Sequence, residues 1–184
     1  MKDNIRMIAV LTVIGLMAGL VLALVFRYAD PLITDNLKKE TENAIFQIFS
    51  DAKSYSKEKE KDESVFKVKD AEGKLLGYAF LAAGDGYQGK IKMMAGIKPD
   101  LETLAGIEIL ESQETPGLGQ EITTAEFKQQ FNGLEVYPEI EYVKNKKPDK
   151  PNEIEAITGA TISSRSVVSI LNDNITRIKE ELSK

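Results

Sequence analysis

A run of twenty residues without a charge, from Met7 to Phe26, constrains the fold of this chain more than any other feature. At about 1.5 Å per residue, a helix of that length extends about 30 Å, the thickness of the hydrocarbon core of a bilayer. Lys2 and Arg6 precede the run, opposed only by Asp3. Because positive residues tend to remain on the cytoplasmic side, the sequence predicts a single-pass helix with a cytoplasmic N-terminus and the following chain outside the cytoplasm.

A cleaved signal peptide is the alternative interpretation of the same run. Its apolar region is usually about 7–15 residues long, and a cleavage site with small residues follows it. Here the run is followed by Arg27, Tyr28, Ala29, Asp30 and Pro31, which contain no such site. The sequence therefore favours a retained anchor in the cell (inner, cytoplasmic) membrane.

The residue types that are missing exclude several kinds of active site. The 184-residue chain has no Cys and no His, so it has no thiol nucleophile, no Ser-His-Asp triad and no Cys- or His-ligated metal. No catalytic residue and no metal site is predicted. Residues 28–184 contain 21 of the 24 basic residues and 28 of the 29 acidic residues, so this part of the chain has a net charge of −7. It has no dense basic patch, so nucleic acid is not a predicted partner.

Hydrophobic periodicity beyond the anchor predicts an α+β domain with a mainly antiparallel sheet and packing helices. Helical spacing covers residues 32–49, and the mixed charges from Lys53 to Glu63 are typical of a solvated linker or exposed turn. Strands are predicted at 65–68, 75–81, 91–97, 105–110, 140–143 and 154–157, and helices at 124–131 and 163–182. The predicted organisation is a cytoplasmic tail and transmembrane anchor (1–30), a connecting helix and charged linker (31–63), and a folded domain (64–184).

The segment Glu114-Thr115-Pro116-Gly117-Leu118-Gly119 is the first of two that indicate chemistry. Pro followed by Gly is ordinary turn chemistry, so one interpretation is a turn at the end of a strand. The other is a backbone loop that passes close to a planar ligand, because glycines permit close approach and exposed N–H groups can bond to ring heteroatoms. Both interpretations remain open.

The second segment, Thr158-Gly159-Ala160-Thr161-Ile162-Ser163-Ser164, opens a predicted helix. Its hydroxyls suit an N-cap, in which Ser or Thr satisfies free backbone N–H groups. The same free N–H groups and the positive end of the helix favour a phosphate, to which a threonine hydroxyl at that point can be esterified. Physical chemistry alone does not choose between the cap and the phosphate site.

These two segments, with Gly86-Tyr87-Gln88-Gly89 and one N-terminal span, resemble the FMN-binding domain family. Most closely the chain resembles the G subunit of Rnf-type electron-transport complexes, to which the C subunit of the sodium-pumping NADH:quinone reductase is related. The similarity covers nearly the whole chain, with the motifs in the family's order. The shorter soluble part favours the Rnf-type reading.

The resemblance implies a covalent phosphoester between FMN and the last threonine of the family's S/T-G-A-T motif, which is Thr161 here. The other implied FMN-binding residues are Thr158, Gly159 and Ala160 around the phosphate, Glu114, Thr115, Leu118 and Gly119 along the isoalloxazine, Tyr87 in the Gly-Tyr-x-Gly loop, and Lys144. The family often has Asp three residues before the motif's first Thr, where this chain has Glu155, which keeps the charge.

The function implied by the resemblance is that of a membrane-anchored flavoprotein subunit. It relays electrons within an Rnf-type ferredoxin:NAD ion-translocating oxidoreductase complex and is not catalytic alone. Its expected partners are multi-span and peripheral membrane subunits of the complex and a flavin transferase. It is not expected to bind NAD, since no dinucleotide fingerprint is present.

Three other functions are weighed against this one. The first is an extracytoplasmic flavin domain of another reductase system, and the second is a flavin-free binding or scaffold module of the same fold. The third is a carboxylate-based hydrolase using Glu111 and Glu114, for which no spacing gives support beyond ordinary charge density.

Overall fold

The computed structural model describes residues 2–59 and 62–182, and the chain divides into two compact units, Met1–Glu40 and Thr41–Lys184. Helix α1 extends from Lys2 to Ile48 and continues through Pro31. The helix predicted at 32–49 is therefore a continuation of the predicted membrane helix. By length and composition, α1 contains one candidate membrane span, although a signal sequence would pass the same test.

The apolar part of α1 has no packing partner in the described chain. Every side chain from Met7 to Phe26 is exposed. A helix that is hydrophobic all round requires an apolar environment, which a bilayer supplies. This exposure agrees with the predicted span.

Five antiparallel strands form the main sheet of the second unit, in the order β1-β2-β3-β4-β5. The strands are β1 Ser54–Lys59, β2 Asp62–Lys69, β3 Leu75–Asp85, β4 Lys90–Ile97 and β5 Leu104–Ser112. The strands predicted at 65–68, 75–81, 91–97 and 105–110 are confirmed as parts of β2 to β5.

The predicted linker from Lys53 to Glu63 is wrong over β1. Ser54–Lys59 pairs antiparallel with β2, with Ser54 opposite Lys69 and Tyr55 opposite Val68. The strand lies at the edge of the sheet, where charged residues are tolerated, so its composition is that of an exposed segment. Residues 60 and 61 of the predicted linker lie outside the described residues.

Hydrophobic side chains cover both faces of the sheet. On one face, Phe80, Ile91 and Met93 join the larger core, to which the C-terminal half of the chain contributes Phe131 and Leu171. The alternating residues Ile91, Met93, Ala95 and Ile97 of β4 all lie in this core.

The opposite face of the sheet is covered by the end of α1. Ala44, Ile45 and Phe49 pack there with Val68 and Met94. Buried residues therefore follow one another along β4, since both of its faces are packed.

The remaining elements lie between β5 and the C-terminus. They are a 3-10 helix at Gly119–Thr123, helix α2 at Ala125–Gln129, the parallel pair β6 Glu141–Val143 and β7 Glu153–Glu155, and helix α3 at Thr161–Leu182. Thr124 caps α2 by accepting a hydrogen bond from the N–H of Phe127. The predicted α+β class with a mainly antiparallel sheet is confirmed.

Candidate functional site at the start of α3

A tight turn connects β7 to the start of α3. The N–H of Ala160 donates to the carbonyl of Ile157 at 3.0 Å, which closes the turn around Thr158 and Gly159. Gly159 has φ +84°, a left-handed conformation that favours glycine at the third position of such a turn. The glycine of the motif is therefore required by the backbone, and the turn fixes where α3 begins.

The first turn of α3 keeps backbone donors available. The carbonyl of Ala160 accepts from the N–H of Ser164 at 3.1 Å, so the N–H groups of Thr161, Ile162 and Ser163 precede the first helical hydrogen bond. Ala160 offers no side-chain acceptor, and no acidic residue lies in the first turn. Within residues 2–59 and 62–182, no side chain accepts a hydrogen bond from these three N–H groups.

The motif's serine hydroxyls are engaged away from these donors. Ser164 Oγ accepts from the N–H of Ile157 at 3.0 Å and donates to the carbonyl of Ala160 at 3.1 Å. Ser163 Oγ donates to Glu114 Oε2 at 2.5 Å. Neither hydroxyl acts as the N-cap that the sequence left open. The helix end therefore keeps the donors and the positive dipole that stabilise an anion.

The segment from Glu114 to Gly119 forms the turn that one of the two sequence interpretations described. The N–H groups of Leu118 and Gln120 donate to the carbonyl of Thr115 at 3.2 and 3.1 Å. Gly117 has φ +73°, which suits glycine at the bend. The second glycine, Gly119, is buried and begins the 3-10 helix.

Glu114 joins all three motifs. Its side chain is 5% exposed, and its carboxylate accepts from Ser163 of α3 and from the N–H of Gln88, the latter at 3.0 Å. The backbones of Tyr87 and Gly89 also lie near this carboxylate and help to lower its pKa. The Gly86–Gly89 loop, the Glu114 segment and the start of α3 are therefore held together by one side chain.

The same contacts govern the ionisation of this carboxyl group. Burial alone would raise the pKa of Glu114, but the hydrogen bonds from Ser163, Gln88, Tyr87 and Gly89 together hold that pKa below its ordinary value. The carboxylate is therefore charged at neutral pH without a basic partner among the described residues.

Three exposed apolar side chains, Tyr87, Leu118 and Ile162, lie in the segments that meet at the start of α3. In the second unit, the large hydrophobic side chains exposed among the described residues are Tyr87, Leu118, Tyr137 and Ile162. Tyr87 lies in the loop held by Glu114, and Ile162 lies in the first turn of α3. Leu118 lies beside the turn, because a Cβ built on Gly159 would be 3.6 Å from Leu118 Cδ2. The chain thus places apolar surface next to a helix end whose N–H groups suit an anion.

Lys144 follows β6, next to the chain that leads into the turn. The N–H of Ala156 donates to the carbonyl of Val143 at 2.9 Å, which brings the backbone at Lys144 beside the segment that leads to Thr158. The Lys144 side chain is exposed and makes no ion pair within the described chain. A cleft of about 650 Å³ is lined by Ile157, Thr158 and residues of α2.

The chain matches known proteins in the region that contains this site. Residues 86–176 match the model of the FMN-binding domain. The chain is 31% identical over 182 residues to the G subunit of the ion-translocating oxidoreductase complex of Methanosarcina acetivorans, a match covering 95% of this chain and 94% of that protein. The chain belongs to the FMN-binding domain family. It is also 37% identical over 113 residues to the G subunit of the Na⁺-translocating ferredoxin:NAD⁺ oxidoreductase complex of Acetobacterium woodii, covering 61% of this chain and 53% of that protein.

A solved structure agrees with the family in fold. The crystal structure of Shewanella oneidensis NqrC superposes with a TM-score of 0.58 at 24% identity, covering 70% of this chain and 67% of that one. The FMN-binding domain of the present chain has donors suited to a phosphate and an adjoining apolar surface suited to a planar ring, so its residues fit FMN. The assignment of individual residues to the cofactor stays a prediction.

Sequence reasoning missed Gln88 and the roles of Ser163 and Ser164 in this FMN-binding domain. Gln88 Oε1 accepts from the hydroxyl of Thr115 at 2.6 Å, and its N–H binds Glu114. Ser163 was visible only as a member of the motif, because its partner lies 49 residues away. The available signal was the position of Ser163 and Ser164 on the inward face of an amphipathic helix, where the structure shows both to be buried. Buried polar side chains require hydrogen-bond partners.

Proposed function

We propose that this protein is the FMN-carrying electron-transfer subunit of an Rnf-type ferredoxin:NAD ion-translocating oxidoreductase complex. The observation that carries the proposal is the similarity to the G subunit from Methanosarcina acetivorans over nearly the full length of both chains. The helix end at Thr161, with its available N–H donors, supports the part of the proposal that concerns FMN. The other membrane subunits of such a complex are its proposed partners, and the protein is not catalytic alone.

Thr161 is the proposed attachment residue for FMN. Its half-buried hydroxyl makes no hydrogen bond within the described residues, so it is available to form a phosphoester. The first-turn N–H groups would hold the phosphate, with Thr158, Gly159 and Ala160 beside it and Lys144 as the nearby basic residue. When bound, FMN supplies the redox chemistry, while the protein supplies position and tuning.

The proposed linkage needs help from outside the chain. A phosphate monoester does not condense with an alcohol in water, so the donor must be an activated phosphoanhydride of the flavin, transferred by a flavin transferase. The Thr161 oxygen would attack the flavin-bearing phosphorus, the phosphoanhydride bond would break, and the other phosphate half of the anhydride would leave as a free phosphate monoester, with the hydroxyl proton released to solvent. A covalent tether also suits an extracytoplasmic domain, where a dissociated flavin is not readily replaced.

Covalent loading of the full chain tests the proposal. We expect the chain co-expressed with a flavin transferase to give a band that fluoresces under ultraviolet light on a denaturing gel. Its mass should exceed that of the unmodified chain by one FMN less one water. The control is the same chain without the transferase, which should be dark.

Other outcomes of this experiment separate the alternatives. A dark band, while the transferase labels a control substrate, contradicts the covalent proposal. A yellow native protein that gives a dark denatured band favours a noncovalent flavin domain. A colourless native protein favours the flavin-free scaffold.

The proposed topology places the N-terminus in the cytoplasm and the FMN-binding domain outside it. Because the chain has no Cys, single-cysteine variants can report it without background from the protein. We expect a membrane-impermeant maleimide to label the Glu72→Cys variant in intact spheroplasts. The Lys2→Cys variant should be labelled only after permeabilisation. Labelling of Lys2→Cys, but not of Glu72→Cys, in intact spheroplasts would contradict the proposed orientation.

A further inference from the structure

We propose that Glu114 is a positioning residue whose buried carboxylate holds the Gly86–Gly89 loop and the first turn of α3 in one arrangement, and thereby orients Thr161. The part of this inference that concerns Thr161 rests on the proposed function. The part that concerns the two segments does not depend on a flavin. It assigns Glu114 to the scaffold under the site instead of to the surface along the isoalloxazine.

The two oxygens of Glu114 bind different elements. Oε2 accepts from Ser163 Oγ at 2.5 Å, while Oε1 accepts from the N–H of Gln88 at 3.0 Å. No Lys or Arg of the described chain forms an ion pair with this carboxylate. Neutral donors from two elements therefore surround a charge that burial would otherwise disfavour.

Two motif glycines make room for this carboxylate. A Cβ built on Gly86 would collide with Glu114 Oε1, and one built on Gly119 would collide with Oε2 and with Ser163 Oγ. Neither glycine has a positive φ, so close approach of the carboxylate accounts for both. Gly119, which the sequence suggested for approach to a ligand, is explained here by approach to Glu114, and so is Gly86.

The bond to Ser163 determines which way Thr161 points. Residues two positions apart on an α-helix point about 200° apart around its axis, because each residue turns about 100°. Ser163 is 2% exposed and faces Glu114, whereas Thr161 is half-buried. Fixing Ser163 to Glu114 therefore fixes the rotation of the first turn, with Thr161 directed away from the carboxylate.

The chemistry of the donors explains why a glutamate suits this place. The loop N–H groups and the Ser163 hydroxyl all donate, and an ionised carboxylate offers two acceptor oxygens. A glutamine of the same shape offers one acceptor oxygen and an NH₂ group, so it cannot satisfy both sides equally. The isosteric change should loosen both segments without leaving a cavity.

Amide hydrogen exchange of the flavin-free full chain in detergent micelles tests the arrangement. We expect Glu114→Gln to speed exchange roughly tenfold or more in peptides covering 86–89 and 158–165, because hydrogen bonds to a charged group are lost. Peptides from β3 should exchange as in the unaltered protein. The matched control is Glu111→Gln, an exposed carboxylate on β5, which should change neither segment. Unchanged exchange at 158–165 in Glu114→Gln overturns the inference.

A second variant keeps the test valid if Glu114→Gln does not fold. Ser163→Ala removes the link from the other side, so exchange should rise at 158–165. The Glu114→Gln/Ser163→Ala double variant should exchange there no faster than the faster single variant, because both changes break one bond. Fully additive effects at 158–165 would overturn the link between the two residues.

The loading rate measures the consequence for Thr161. We expect Glu114→Gln, assayed well below its unfolding midpoint, to slow covalent loading by the flavin transferase at least tenfold, because the first turn of α3 no longer presents Thr161 in one fixed orientation. Loading of Glu114→Gln at the unaltered rate would overturn the orienting role. If the unaltered chain does not load at all, the proposed function fails, while the exchange result still decides whether Glu114 holds the two segments.

Discussion

Replacing Thr161 by Ala is expected to abolish covalent flavin attachment completely and to leave the domain folded. The substitution removes the one hydroxyl that the motif assigns to the phosphoester, so no partial attachment should remain. Stability should change little, within about 0.5 kcal/mol, because the hydroxyl makes no hydrogen bond in the described chain and Ala is a good helix former. The measurement is in-gel fluorescence after co-expression with the flavin transferase, with thermal unfolding followed by circular dichroism.

Two matched variants sharpen this result. Thr158→Ala removes the other threonine of the motif, which is exposed in the turn and is not the predicted attachment residue, so its band should remain fluorescent. Thr161→Ser keeps a hydroxyl at the same place and should retain at least part of the attachment. A fluorescent Thr161→Ala band would move the linkage away from Thr161.

Much of the fold follows from patterns that single segments carry. In β4 the alternation of Ile91, Met93, Ala95 and Ile97 predicts both the strand and its buried face, because one face of a sheet repeats every two residues. The apolar spacing from Val167 to Leu182 likewise predicts α3, since a helix buries one stripe. These predictions succeed because the burial of one face of a strand or helix requires apolar residues at a short, regular spacing within that segment.

Other features could not be predicted because their cause lies between distant segments. The bond between Ser163 and Glu114 joins residues 49 positions apart, and no local period indicates it. Gly119 suggested close approach, but the sequence does not say that a side chain of the same motif is what approaches. For β1, edge position explains why Lys and Glu are tolerated, and edge position is a property of the whole sheet.

A fragment that begins at Thr41 is expected to fold, whereas one that begins at Ser64 is expected to be unfolded or aggregated. The longer fragment corresponds to the second compact unit and keeps the end of α1 with β1. The shorter one loses Ile45, which is fully buried, and Phe49, which is 7% exposed. Burial of two such side chains contributes about 1.5–3 kcal/mol each, a large share of the roughly 5–15 kcal/mol that stabilises an ordinary domain.

The loss is greater than area alone suggests, because the sheet is shaped around Phe49. A Cβ built on Gly77 or Gly96 would approach the ring of Phe49 to 2.9 and 2.7 Å, so these glycines in β3 and β4 leave a depression that the ring fills. Without Phe49 the depression would be empty, and removal of β1 would also leave β2 as an unpaired edge.

Thermal unfolding of the two purified fragments, followed by circular dichroism, measures this difference. The control is Phe49→Ala in the fragment that begins at Thr41, which should lower the free energy of unfolding by about 3–5 kcal/mol for loss of a buried aromatic ring. Equal midpoints for the two fragments would contradict the argument and support a domain that begins at residue 64. A cooperative transition in the longer fragment alone would mean that the FMN-binding domain begins inside α1, because the sheet needs the last turns of that helix to cover its second face.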